Sequence, residues 1–444
     1  MPRHLLLRTS QLTGRRRAGY LLLPLVLAGS AVAAVAALPT GAGAAQTAIT
    51  AGTVSPSCNT TPIAHPESVV STLKGKEVQA TFNNPATHNG LDNTQITEMI
   101  RLIDCTPGGA TIRMAIHSIR SKPVLAAITD AVNRKVTVLV VHNGADCQHR
   151  TPKCTIPTDL AALLKKNHHW CNTHAGSNAC VSTAKGGIMH AKYLMFSQTR
   201  DLDGMQKSNV VWFGSPNMTR HSGTQLFNNS VTVYGDRDLY VKFRDRIWRP
   251  MWNRQAQPGN DFYAPKSRGY LRSNTTNIAA FASPDNTKGS DLVLAQLNQL
   301  HPAEGCQVLV MENMIHNDRL AVVNKLVDLS HHNCTVQVVA ANVNDTAMSR
   351  FKHAHIQVHA ALVHDKLILI KGRFGNVDHS VYTVLTGSHN LTGKALHSND
   401  ELLVQIPQVP AAFYDAFHSH FNDGWTAGTA CGGCKTIVKG EPRP

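Results

Sequence analysis

The chain repeats itself, and the repeat constrains its fold more than any other feature. Phe82-Asn83-Asn84-Pro85 and Phe281-Ala282-Ser283-Pro284 open two stretches that read alike. Each continues with a helical apolar pattern (Ile96, Met99, Ile100 and Ile103; Leu292, Leu294, Leu297 and Leu300) and then a short strand (Thr111 to Ile116; Cys306 to Met311). An apolar helix (Val124 to Val132; Leu320 to Leu329) and a β-branched strand (Val136 to Val141; Thr335 to Ala340) follow. Apolar residues three and four apart mark one face of a helix, and dense β-branched runs mark strands. Alternation of the two predicts an α/β layer structure with a central sheet in each half. The expected organisation is a first half over 62–254, a polar linker over 255–276 containing Pro258, Gly259, Pro265 and Gly269, a second half over 277–430, and a tail over 431–444. The first copy is the longer, and its extra stretch, Cys147 to Gly187, holds four cysteines. It reads as a disulfide-stapled insertion over the mouth of a site.

Both copies carry the same two short motifs: His190-Ala191-Lys192 with Gly214-Ser215-Pro216-Asn217, and His364-Asp365-Lys366 with Gly387-Ser388-His389-Asn390. The His-to-Gly offsets are 24 and 23 residues, and neither motif occurs elsewhere in the chain. Among 24 histidines a single His-x-Lys would signify little. Two copies at matched spacing leave coincidence hard to hold. His-x-Lys begins an apolar stretch in both halves (Tyr193 to Phe196; Leu367 to Ile370). Residues two apart in a strand share a face, so His and Lys project together.

A phosphodiester needs a nucleophile for phosphorus, a proton donor for the leaving oxygen, and donors or cations for the remaining oxygens. One neutral imidazole attacks and the other, protonated, serves the leaving alkoxide. Lys192, Lys366, Asn217 and Asn390, with Ser215 and Ser388 behind them, hold the phosphoryl oxygens as charge develops. This inventory requires neither a metal nor a cofactor.

The paired motifs and the duplicated α/β organisation resemble the phospholipase D superfamily, with its His-x-Lys-x4-Asp signature followed by Gly-Ser-x-Asn. The resemblance spans residues 62–430. It implies two pseudo-twofold related α/β/α sandwich halves with one shared active site at their interface, a phosphohistidine intermediate, and water or an alcohol as acceptor. It also implies that His190 is the nucleophile and His364 the general acid. The chain departs from the signature at its aspartate positions, which hold Ser197 and Lys371. In the family a later acidic residue orients the histidine. Glu401, eleven residues beyond Asn390, fits that role for His364. The same count from Asn217 reaches Asn228, whereas aligning the Asn-rich segments puts Ser230 opposite Glu401. The first copy then lacks its carboxylate. A carboxylate on His364 would make that imidazole the more basic, so the reverse order of roles stays open.

Residues 1–45 read as a secretory signal peptide: Arg15 to Arg17, an apolar run from Tyr20 to Leu38, then small residues to Ala45. The alternative is an N-terminal membrane anchor, and the arginines loosely suit a twin-arginine signal. Export accounts for ten cysteines, all beyond residue 45, as disulfides. Local bridges Cys147–Cys154, Cys171–Cys180 and Cys306–Cys334 are expected, with Cys431 and Cys434 as a C-terminal staple. Without residues 1–45 the chain has 38 basic and 28 acidic residues, which favours polyanionic partners without selecting one. Three functions fit: a secreted phospholipase D acting at a membrane surface, an endonuclease on DNA or RNA, and a degenerate phosphate-binding member. Aromatics amid the basic run Lys242 to Arg254 (Phe243, Trp248, Trp252) would serve the second, and exposed apolar loops at Met311 to Ile315 or Val409 to Phe413 the first. A duplicated chain completes its site without a partner, so a monomer is expected.

Overall fold

The computed structural model describes residues 52–60, 67–147, 154–172, 174–263 and 268–430. The expected signal peptide, the Cys431/Cys434 staple and the side chain of Cys147 lie outside the described residues. Two sheets form. The first comprises β1 (Ser68–Leu73), β2 (Lys76–Asn83), β3 (Thr111–Ile116), β4 (Thr137–Asn143), β5 (His168–Cys171), β6 (Lys192–Arg200), β7 (Gln206–Gly214) and β8 (Asn228–Val233). The second comprises β9 (Tyr270–Arg272), β10 (Ala279–Ala282), β11 (Leu300–His301), β12 (Cys306–Ile315), β13 (Cys334–Val343), β14 (Gln357–Ala360), β15 (Lys366–Phe374), β16 (Ser380–Gly387), β17 (Leu402–Ile406) and β18 (Thr429–Ala430). The helices are α1 (Thr94–Asp104), α2 (Lys122–Asn133), α3 (Thr155–Leu164), α4 (Arg237–Phe243), α5 (Arg249–Trp252), α6 (Leu292–Leu297), α7 (Leu320–His331), α8 (Asp345–His353), α9 (Gly393–His397) and α10 (Ala411–Ala427).

The duplication is written into the strand order. From one edge the first sheet runs β5-β4-β3-β6-β7-β8-β2-β1, and the second runs β14-β13-β12-β15-β16-β17-β10-β9 with β18 added beyond β14. The pairings match in sense as well: β3·β4 and β12·β13 are parallel, β3·β6 and β12·β15 antiparallel. Lys192 sits opposite Ile116, and Lys366 opposite Glu312. The α/β expectation therefore holds for each half. Residues 255–276, expected as linker, contribute β9 to the edge of the second sheet.

Local chemistry sets these elements. Ser121 accepts from the Val124 N–H at the start of α2, with Pro123 in the first turn, where a missing N–H costs nothing. Asp291 accepts from the N–H groups of Val293 and Leu294 at the start of α6. Its buried carboxylate also takes two bonds, 2.6 and 2.7 Å, from Arg319. Two outer cores pack α1 and α2 on the first sheet and α6, α7 and α8 on the second. A third core joins the sheets: Tyr193, Met195 and Phe213 meet Leu309, Met311 and Leu369, with Phe413, Phe417 and Phe421 of α10 among them. Burying each such side chain contributes about 1.5–3 kcal/mol, so the junction is as much a folding core as either half.

Disulfides Cys171–Cys180 and Cys306–Cys334 form as expected, and Cys58 pairs with Cys105. The insertion divides in two. α3 and β5 are the counterparts of α8 and β14, so the extra residues fall before α3 and, chiefly, between β5 and His190. Among the described residues no helix is long and apolar enough to cross a membrane.

Candidate active site

His190 and His364 each stand two residues ahead of a strand that begins at Lys192 or Lys366. Each is tied to the opposite half through its main chain. The His190 and Ala191 N–H groups donate to the Asp400 carbonyl at 2.9 and 2.8 Å, and the His364 N–H donates to the Phe227 carbonyl at 2.9 Å. Asp400 and Phe227 directly precede Glu401 and Asn228, which take the ring nitrogens. His190 Nδ1 lies 2.8 Å from Glu401 Oε2, and His364 Nδ1 lies 3.1 Å from Asn228 Oδ1. An acceptor at Nδ1 places the ring proton there and leaves Nε2 bare.

Glu401 thus orients His190, in the other half, not His364. The expectation failed because it counted along one copy, whereas the chain crosses between copies to reach each imidazole. Asn228, not Ser230, is the counterpart of Glu401. The Ser230 hydroxyl instead donates to Gln95 Oε1 at 2.7 Å.

The motif serines serve the same carriers. Ser388 Oγ donates to Glu401 Oε2 at 2.6 Å, and Ser215 Oγ to Asn228 Oδ1 at 3.0 Å. They brace the histidines' partners and are not directed to a phosphoryl group as expected. The motif glycines permit that approach. A Cβ on Gly214 would fall 2.6 Å from the Asn229 carbonyl oxygen, and one on Gly387, at φ +139°, 2.2 Å from that of Leu402. Lys192 and Lys366 are buried, and each ammonium donates to the carbonyl of its own motif histidine, at 2.5 and 2.6 Å. Asn217 and Asn390 are buried with Oδ1 unpartnered; Asn217 donates one N–H to Ser222 Oγ at 3.1 Å, so its remaining N–H, and not the free oxygen, suits an anionic ligand.

The electrostatics bind these groups into one cluster. Burial first, then Lys192 and Lys366, holds His190 well below the ordinary imidazole range. Burial, then Lys366, Lys192, His190 and His117, does the same to His364. Burial pushes Glu401 upward against the pull of Lys192, His389, Ser388 and Asn399. Its two oxygens face His190, Ser388 and Asn399, and a carboxyl met by three donors acts as an ionised acceptor.

The Ser197 and Lys371 positions lie five residues along β6 and β15 from the motif lysines. Ser197 Oγ accepts from the Thr111 N–H at 2.8 Å, so a neutral hydroxyl fills an acceptor's place there. Sequence reasoning missed His117, whose ring stands edge-on to His190 with centroids 4.9 Å apart and whose Nδ1 is buried without a partner. It follows β3 directly, at the carboxyl end of a parallel strand where α/β sites collect, and that position was the available signal. Glu312, with Oε2 buried and unpartnered, was missed as well. Burial pushes it far above the usual carboxylate range. Among the described residues no group of three or more His, Cys, Asp or Glu side chains is arranged to hold a metal.

The family model for the PLD-like domain of cardiolipin synthase matches residues 99–251 and again 295–425, more than half of the chain. The chain belongs to this PLD-like family. No curated protein matches this PLD-like chain in sequence. Its fold is similar to that of phosphatidylserine synthase from Haemophilus influenzae Rd KW20, at 11% identity and a TM-score of 0.54 over 79% of this chain and 87% of that one. Polyphosphate kinase from Porphyromonas gingivalis shows 10% identity and a TM-score of 0.47 over 78% of this chain, which spans 50% of that protein's length. Nuc of Salmonella typhimurium, a phospholipase D family member, is 22% identical with a TM-score of 0.27 over 34% of this chain and 96% of its own. PLD-like proteins act on phosphodiesters.

Proposed function

We propose that this PLD-like protein is a secreted phospholipase D, hydrolysing or transferring the phosphatidyl group of glycerophospholipids through a phosphohistidine on His190. The observation that carries the mechanism is the unequal support of the two imidazoles. A carboxylate at Nδ1 raises the basicity of Nε2, and an amide oxygen does so less. His190 Nε2 attacks phosphorus, the bond to the leaving alcohol breaks, and His364 Nε2–H protonates the alkoxide. A bound phosphodiester anion offsets the lysine charges and lets His364 carry that proton. In the second half-reaction His364 takes a proton from water or an alcohol, whose oxygen attacks phosphorus and breaks the P–N bond. Lys192, Lys366, Asn217 and Asn390 hold the phosphoryl oxygens.

The phospholipid reading draws on the cardiolipin synthase family match and on Leu362, half exposed two residues before His364. The loops first considered for lipid contact do not serve, since Met311, Ile315, Val409 and Phe413 are buried. The aromatics of the run considered for base stacking are likewise engaged within the fold: Phe243 and Trp248 are buried, and Trp252 stacks on His169. The three disulfides among the described residues suit an oxidising compartment, and a site completed within one chain suits a monomer. The test is to incubate the protein with phosphatidylcholine, with and without ethanol, and separately with single- and double-stranded DNA. Choline release, with phosphatidylethanol formed at the expense of phosphatidic acid, supports the reading. Release of oligonucleotides with no action on lipid replaces it with the nuclease.

A further inference from the structure

Asp400 is fully buried and stands between the insertion and the His190 side of the site. Its carboxylate takes three consecutive main-chain N–H groups: Cys180 and Val181 at 2.5 and 3.1 Å on Oδ2, and Ser182 at 2.9 Å on Oδ1. Its carbonyl holds the His190 and Ala191 N–H groups, and its own N–H donates to the Ile188 carbonyl at 2.9 Å. The gripping segment is closed by the Cys171–Cys180 disulfide, and Cys171 is the last residue of β5. An unbroken path therefore runs from the first sheet through Cys171, Cys180 and Asp400 to Glu401 and the His190 ring.

The other side lacks the device. Only three residues separate β14 from His364, and the counterpart of Asp400 is Phe227, an apolar side chain packed near the His420 ring. Consecutive main-chain N–H groups converging on one oxygen pair form an anion cradle: burial pushes the Asp400 carboxyl up to about 7, and the Ser182, Cys180 and Val181 N–H groups pull against that rise by favouring the ionised form. In this chain the cradle is filled by an internal carboxylate from the opposite half.

We propose that Asp400 is a positioning residue for His190, and that the disulfide-closed segment Cys171–Ser182 is the clamp that sets it. Gripping Asp400 fixes the main chain from which Glu401 reaches the imidazole. The proposal rests on the reading of His190 as a reacting group. An asparagine in place of Asp400 points an N–H₂ group at N–H donors and breaks the grip while keeping the side-chain size.

The test uses bis(para-nitrophenyl) phosphate, a diester with no lipid or nucleic-acid part. Asp400→Asn is expected to lower kcat by about 10- to 100-fold, the usual effect of losing a partner that orients a site residue, with KM within about twofold. The acid limb of its kcat/KM profile should move to lower pH, because an imidazole that loses its carboxylate is harder to protonate. Added to Glu401→Gln, Asp400→Asn should cost less than about twofold more, since both act through one alignment. Unchanged kcat, or losses that multiply in full, overturn the proposal. Should Asp400→Asn fail to fold, the Cys171→Ser/Cys180→Ser pair carries the test: kcat is expected to fall by about threefold or more at constant KM, and wild-type kcat overturns the clamp. Wild-type protein inactive on this diester and on phosphatidylcholine would defeat the phosphodiesterase reading itself. Active protein indifferent to Asp400 defeats only the proposal.

Discussion

Two imidazoles from matching motifs are made different by one atom. Glu401 gives His190 a carboxylate oxygen, while Asn228 gives His364 an amide oxygen and spends its N–H₂ group on the carbonyls of Ser222 and Leu226, both at 2.7 Å. If Glu401 holds the nucleophile, Glu401→Gln lowers kcat by about 10²- to 10⁴-fold with the fold intact, as loss of the carboxylate behind a catalytic imidazole does elsewhere. Steady-state kinetics beside a thermal melt checks this. The pH dependence follows from the same cluster. Burial and the two lysines lower both imidazoles, so at neutral pH both are neutral in the free protein. In the proposed mechanism the competent form carries one proton across the pair. It becomes populated as pH falls, until a second proton silences the nucleophile, which places the optimum of kcat/KM below the ordinary imidazole value of about 6.5. A kcat/KM profile on bis(para-nitrophenyl) phosphate that peaks at about pH 8 would contradict this assignment.

The two central parallel pairs carry most of what was legible in the sequence. β3 and β4 were read from the sequence within two residues, whereas β12 extends from Met311 to Ile315 and β13 from Ala340 to Val343. The motif pairs were legible because identical chemistry recurs at nearly identical spacing. What stayed hidden was which half supplies each partner. The crossing of Asp400–Glu401 to His190 and of Phe227–Asn228 to His364 depends on how the sheets face each other, and no period along one copy encodes that. The insertion was misjudged for a related reason: α3 and β5 look like additions until β14 and α8 show them to be ordinary parts of the repeat. Elements also separate stability from chemistry. Cys306 and Cys334 are register partners at the starts of β12 and β13, far along those strands from Glu312, which faces Lys366. Replacing both by Ala should lower stability by about 2–4 kcal/mol and leave kcat/KM unchanged, as read by thermal melting and turnover.

Across the whole molecule the two halves share one core, and neither half alone holds a motif histidine with its ring partner. The central claim is that they divide a double displacement, with His190 taking the phosphoryl group and His364 moving the protons. The His364→Ala variant isolates the first half-reaction, because para-nitrophenol leaves without a proton donor while release from the histidine needs the missing base. Mixed with bis(para-nitrophenyl) phosphate and quenched in base, that variant should release about one equivalent of nitrophenol in a burst. Peptide mass spectrometry should then find the base-stable phosphoryl adduct on His190. An adduct on His364 in the His190→Ala variant with none on His190, or steady turnover by the wild type with no adduct on either histidine, would contradict the account.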